Sequence, residues 1–162
     1  MLVLMMMNKG RINEGFTLTE LMIAILIVGL IAVLSLPGYN HYMRNWRLNG
    51  EAQQLASALR TARSAAVMKN IDAVFTFDMN SDTYSYFEDM DGDGSRDNDE
   101  YLSATYHLPP DVTIIAHTLP STTLTFGSKG NTRASGTITL RNTNNRSKSI
   151  RIFGGTGNVT VD

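Results

Sequence analysis

Two sets of carboxylates stand where an ordinary solvated surface would not put them. Glu20 is the one charged residue in the twenty-one from Phe16 to Leu36, a run dominated by Leu, Ile, Val and Ala. A charged side chain costs about 2.5–3.5 kcal/mol at the centre of a membrane-spanning helix, less toward its end. Glu20 therefore asks for a specific cationic partner inside a membrane or an assembly. Further on, Asp89, Asp91, Asp93, Asp97 and Glu100 occupy places one, three, five, nine and twelve of a twelve-residue loop. Gly94 falls at the sharp turn, and Ser95 would offer its backbone carbonyl. Hard oxygen donors in that order suit Ca²⁺, which takes six to eight oxygens in a flexible shell.

The loop departs from the usual calcium pattern in two respects. Arg96 stands where an apolar residue is usual, and strands rather than helices are expected on both sides. Asp and Gly are also favoured by turn geometry alone, so a solvated acidic hairpin loop is the competing reading. A bound Ca²⁺ is expected to be weak, on the order of 10⁻⁴–10⁻³ M.

Charge is divided unevenly along the chain although the total is only −1. Nine acids and one Arg lie between Asp78 and Glu100, whereas Val112 to Val161 holds no acid at all. Arg141, Arg146, Lys148 and Arg151 sit in that acid-free stretch and could contact nucleic-acid phosphates. A solvated basic face is the plainer reading of the same residues.

Other chemistry finds little support. The chain has no Cys, which removes disulfides and thiolate ligands. His41, His107 and His117 have no Cys or paired carboxylate at a recognisable spacing. Gly154-Gly155-Thr156-Gly157 lacks the Lys and helix of a phosphate loop and reads as a turn. Nothing here composes a catalytic centre.

The elements that must position these groups follow from periodicity. Phe16–Leu36 is about as long as a helix needs to cross a hydrocarbon layer, roughly 20 residues at 1.5 Å each. Pro37 and Gly38 permit a bend, and the helical pattern then resumes to about residue 70. Ala52, Leu55, Ala56, Leu59, Ala62 and Ala66 recur at three- and four-residue steps, so residues 37–70 read as an amphipathic helix. Tyr39, Tyr42 and Trp46 follow the apolar run, as membrane-surface anchors or as packing residues between subunits. From Ile71 the period shortens and β-branched and aromatic residues take over. Strands are expected at 73–77, 83–87, 112–116, 122–126, 136–141, 149–153 and 158–161. The fold class is α+β: a long N-terminal helix packed on a C-terminal, antiparallel, β-rich head over residues 71–162.

Glu14-Gly-Phe-Thr-Leu-Thr-Glu-Leu21, with Pro37 just past the apolar run, resembles the processing site of type IV pilins and type II secretion pseudopilins. The resemblance implies a cleaved leader over residues 1–15. It implies a cut between Gly15 and Phe16 by a prepilin peptidase, N-methylation of Phe16, and a single membrane pass with the N-terminus in the cytoplasm. An inner-membrane platform would then assemble the subunit with other pilins or pseudopilins. In that setting Glu20 would pair with the freed amine of Phe16 on a neighbouring subunit. Phe126, Gly130, Gly136, Ile138, Leu140, Ile150, Ile152, Gly157 and Val159 resemble, more loosely, the minor branch that holds the H component of type II secretion and the T and U pilins. Some T-type members bind DNA through a Gly-Arg-x-Arg-like stretch; here that stretch reads Gly157-Asn158-Val159-Thr160, without the arginines. A non-catalytic filament subunit is the leading expectation, with a DNA-binding minor pilin as its alternative.

Overall fold

The computed structural model describes residues 15–162, without the side chains of residues 35–37. The leader residues 1–14 and the side chain of Pro37 therefore lie outside the described residues. Helix α1 spans Leu18–Lys69. Its C-terminus closes where Asn70 turns into the left-handed region (φ 55°) and the Ile71 N–H reaches back to the Ala66 carbonyl at 3.2 Å. That is the Schellman pattern, with Asn in the place Gly usually takes. Two compact units divide at Tyr39/Asn40, one up to Tyr39 and one from Asn40 to Asp162.

In the second unit the expected stripe is the buried one. Ala52, Leu55, Ala56, Leu59, Ala62 and Ala66 are all buried, and Leu48, not among the expected positions, extends the buried face by a turn. Four alanines among seven positions let strands approach the helix closely, and the bulk comes from the sheet side. Eight strands do the covering: β1 (Asp72–Asp78), β2 (Thr83–Asp89), β3 (Tyr106–His107), β4 (Val112–His117), β5 (Thr123–Phe126), β6 (Gly136–Asn142), β7 (Ser147–Phe153) and β8 (Asn158–Val161). They form two antiparallel four-stranded sheets, in the orders β3-β2-β1-β5 and β4-β6-β7-β8. The first sheet supplies Phe75, Phe77, Leu124 and Phe126 to the core; the second supplies Val112, Ile114, Ile138, Leu140, Ile150, Ile152 and Val159.

Three expectations shift. The β-rich head, expected without a strand order, divides into two sheets, with β5 crossing back to pair with β1. The two-residue β3 has no pattern long enough to announce itself. Asp89, expected to open a loop, is the last residue of β2 and is paired with Asp72.

Exposed strand edges invite unwanted pairing, and three of them are occupied from within. The Ser121 hydroxyl donates to the Thr123 carbonyl on β5 (2.8 Å), Asp82 Oδ1 accepts the Ile114 N–H on β4 (2.7 Å), and Arg60 donates to the Val159 carbonyl on β8 (2.8 Å). Arg63 likewise holds the Gly130 carbonyl at 2.7 Å. Gly157 packs against that group in the left-handed region (φ 64°), and a Cβ there would run into the Gly130 carbonyl oxygen. Gly157→Ala is expected to destabilise the chain by roughly 2–3 kcal/mol. A chemical-denaturation midpoint equal to wild type would contradict this packing.

Candidate functional site

The first N–H groups of α1 have no partner within the helix and must find one outside it. Thr17 supplies it. Its Oγ1 accepts the Glu20 N–H at 3.2 Å, while Glu20 Oε2 accepts the Thr17 N–H at 2.9 Å and the Thr17 hydroxyl at 2.8 Å. The pair is a capping box, and Thr-x-x-Glu before an apolar run is its sequence signature. Reading Glu20 only as a charge in need of a cation overlooks this second duty, although the spacing is plain in the sequence. Every residue from Gly15 to Leu34 is exposed, Phe16 by 87%. A helix apolar on all sides is a buried helix by composition, so this segment is built to be covered. Among the described residues no single helix is long and apolar enough to cross a membrane; Leu18–Leu34 together with Gly38–Lys69 passes on length and composition.

The acidic loop is organised by its own backbone. Asp89, buried at the end of β2, accepts the Gly92 N–H at 2.8 Å on Oδ1 and the Gly94 N–H at 3.0 Å on Oδ2. Both glycines have positive φ (77° and 78°), which turns those N–H groups inward. Asp91 accepts the Asp93 N–H at 3.2 Å, and Asp93 accepts the Ser95 N–H at 2.6 Å. Glu100, also buried, closes the base by accepting the Met90 N–H (2.7 Å) and the Asp97 N–H (3.0 Å). Carboxylate oxygens of Asp89, Asp91 and Asp93 lie within 4.8 Å of one another. That spread suits one ion with oxygen ligands at about 2.3–2.6 Å. The group does not extend to Asp97 or Glu100, so the structure assembles three of the five expected side-chain ligands. Lys69 anchors the neighbouring Glu88 at 2.6 Å and lies over the Tyr101 ring, tying the loop to the end of α1.

The basic candidates do not converge. Arg141 and Arg151 point away from the core on β6 and β7, whereas Lys148 shares the strand parity of the buried Ile150 and Ile152. Arg146 lies in the turn between them. The Arg151 guanidinium is already paired with Asp162 at 2.8 Å, an acid just past the acid-free stretch.

Known proteins agree with this geometry. The family described as Type II transport protein GspH matches residues 51–156, and the prokaryotic N-terminal methylation motif matches residues 10–36. The chain belongs to the GspH family. Its members include minor pilins and pseudopilins, which are structural, non-catalytic subunits. The fold is similar to that of the minor pseudopilin EpsH of the Vibrio cholerae type 2 secretion system, with TM-score 0.58 and 12% identity over 72% of this chain and 96% of that one. It is similar also to the type IV minor pilin FimU of Pseudomonas aeruginosa, with TM-score 0.57 and 15% identity over 75% and 92% of the two chains. A fimbrial protein of P. aeruginosa is 33% identical over 64 residues, which are 40% of this chain and 41% of that one. One from Moraxella nonliquefaciens is 45% identical over 52 residues, 32% and 33% of the two chains. This GspH-family chain thus spans well under half the length of those fimbrial relatives.

Burial pushes the Asp89 carboxyl above its ordinary value of 3.8, against the lowering effect of the Gly94 and Gly92 N–H groups. Asp78 moves the other way, lowered by the Asn80 N–H and the Ser81 hydroxyl. The folded chain therefore holds the Asp89 proton more tightly than the unfolded chain. Its contribution to stability is complete below 3.8 and is lost as pH rises through the raised value. Carboxyl-carbon NMR titration is expected to find Asp89 titrating later than Asp78 as pH increases, and the opposite order would contradict the buried geometry.

Proposed function

We propose that this chain is a minor structural subunit of a type IV pilus or a type II secretion pseudopilus. It is made as a precursor, cut between Gly15 and Phe16 by a prepilin peptidase, and methylated on Phe16. Residues 16–36 hold it in the inner membrane with the head in the periplasm. An assembly platform then moves it into a helical filament of related subunits. One observation carries the reading: a helix that is apolar and exposed on every side begins with a single carboxylate held in its own cap. Lipid covers such a surface before assembly and neighbouring helices cover it afterwards.

The complement of the capped Glu20 carboxylate is the freed amine of Phe16 on an adjacent subunit. Two unit charges 4 Å apart are worth about 4 kcal/mol at an effective dielectric near 20. Only one axial offset between subunits brings them together, so the pair favours a register. The aromatic residues beyond the apolar run support helix–helix contact as well. Trp46 is 64% exposed and Tyr42 66%. Side chains of that kind are covered by a neighbouring subunit or by the lipid headgroup layer.

Substitution at residue 20 separates cap from charge. Gln also serves in a capping box, so Glu20→Gln is expected to keep the helix and its membrane insertion while losing filament incorporation. Membrane fractionation and filament immunoblotting read the two effects, and normal incorporation of Glu20→Gln would sink the charge-pairing role. Mass spectrometry of the native protein is expected to find methyl-Phe16 at the N-terminus; an intact leader would remove the whole reading.

The clustered oxygens of Asp89, Asp91 and Asp93 favour a second, compatible property, a weak Ca²⁺ site on the loop. Titration calorimetry at millimolar Ca²⁺ is expected to show binding that Asp91→Ala together with Asp93→Ala abolishes. Absence of calcium heat in the wild-type chain would end that idea. The dispersed basic residues favour no corresponding proposal for DNA.

A further inference from the structure

The Asn142-Thr143-Asn144-Asn145 stretch, at the turn between β6 and β7, reaches across to α1. Asn142 is the last residue of β6 and is only 4% exposed. Its Oδ1 accepts two N–H groups of its own turn, from Asn144 at 3.1 Å and Arg146 at 3.0 Å. Its Nδ2 donates to the Arg44 carbonyl at 3.2 Å and to Asn45 Oδ1 at 2.9 Å. An amide side chain has two donors and two acceptor lone pairs, and here all four are used. Asn144 repeats the gesture three residues earlier on the helix. Its Nδ2 donates to the His41 carbonyl at 3.1 Å, and its Oδ1 accepts from Arg44 at 3.4 Å. Asn145 takes the left-handed position (φ 64°) and its N–H donates to the Asn142 carbonyl, which closes the turn that carries Asn142 and Asn144. Arg47, one turn on, is paired with Asp111 at 2.9 Å.

We propose that Asn142 and Asn144 are positioning residues that latch α1 to the head at His41–Asn45 and fix where the rigid part of the helix begins. The carbonyls they hold are those whose helical partners are the N–H groups of Asn45 and Leu48. Opening of the helix from its N-terminal side, where Pro37 supplies no N–H to the ladder, must break side-chain bonds as well as backbone bonds to pass His41. The apolar stripe starts only at Leu48, so packing alone would not hold the turn before it. The latch makes up that difference. It bears on the filament reading, since it would confine bending during assembly to residues before His41, but it can be tested without a filament.

Hydrogen exchange on the unassembled full chain in detergent micelles measures it directly. In the wild type, amides of Asn45–Leu48 are expected to be protected together with those further along α1. Asn142→Asp is nearly isosteric and keeps both turn acceptors, yet it sets an oxygen against the Arg44 carbonyl. Exchange at Asn45–Leu48 is then expected to quicken by roughly tenfold or more, with Ala52–Ala66 unchanged. Asn145→Gly, which suits the positive φ and touches no helix residue, is expected to behave as wild type. Should Asn142→Asp fail to fold, Asn144→Ser removes the Asn144 amide's bonds to His41, Arg44 and Asn45 while leaving those of Asn142, and is read at the same amides. Unchanged exchange at Asn45–Leu48, or an equal loss of protection along all of α1, would overturn the latch. Neither result touches the Glu20 test, so the two proposals fail separately.

Discussion

One helix has to satisfy two environments, and the change occurs between Leu34 and Leu48. From Leu21 to Leu34 the exposed side chains of α1 offer hydrocarbon to whatever surrounds them; from Leu48 only one stripe is buried. Alanine at 52, 56, 62 and 66 makes the second arrangement workable. A thin face lets two sheets close over one helix, where a leucine-rich face would hold them apart. The sheets then contribute the large side chains, Phe75, Phe77 and Phe126 from one and Ile138, Ile150 and Ile152 from the other. No disulfide assists, since the chain has no Cys. The core and the edge contacts of Arg60 and Arg63 must hold the head without one.

The same economy governs the charges. Glu20, Glu88, Asp89 and Glu100 each hold a backbone or side-chain donor close by, and three of the four are buried. Removing one partner from a buried ionised group is costly, often several kcal/mol. These carboxylates are therefore structural first, and any intermolecular role is added to a bond already made. For Glu20 this resolves a difficulty. On the proposed reading a precursor in the membrane would have no neighbour's amine to pair with, and the cap with Thr17 gives the Glu20 carboxylate donors of its own.

Much of this was legible in the sequence. The Ala/Leu stripe predicts the buried face of α1 position by position, because a 3.6-residue period leaves little freedom. Seven strands announce themselves through β-branched and aromatic runs. Topology did not follow: nothing local says that Thr123–Phe126 returns to β1, and a two-residue strand beside Pro109-Pro110 carries no alternation to read. The four-residue Asn run is the sharper lesson. Local chemistry correctly makes it a turn, but its amides reach residues about a hundred positions away in the chain. Such a bond exists only once the whole sheet has formed.

The acidic loop shows how far its own backbone settles a binding question. Glu100 bridges Met90 and Asp97, Asp89 gathers Gly92 and Gly94, and Lys69 fixes Glu88 just before them. Each of these bonds is made by the chain itself. The loop thus has a bonding network of its own, unlike small metal domains held only by their ligands to the metal. What an ion could supply is relief of repulsion among Asp91, Asp93 and the half-satisfied Asp89. That gain is modest in water and falls further with salt. On the proposed calcium reading, a loop already bonded in this way would bind an ion loosely, and the ion would adjust surface charge more than it holds the head together.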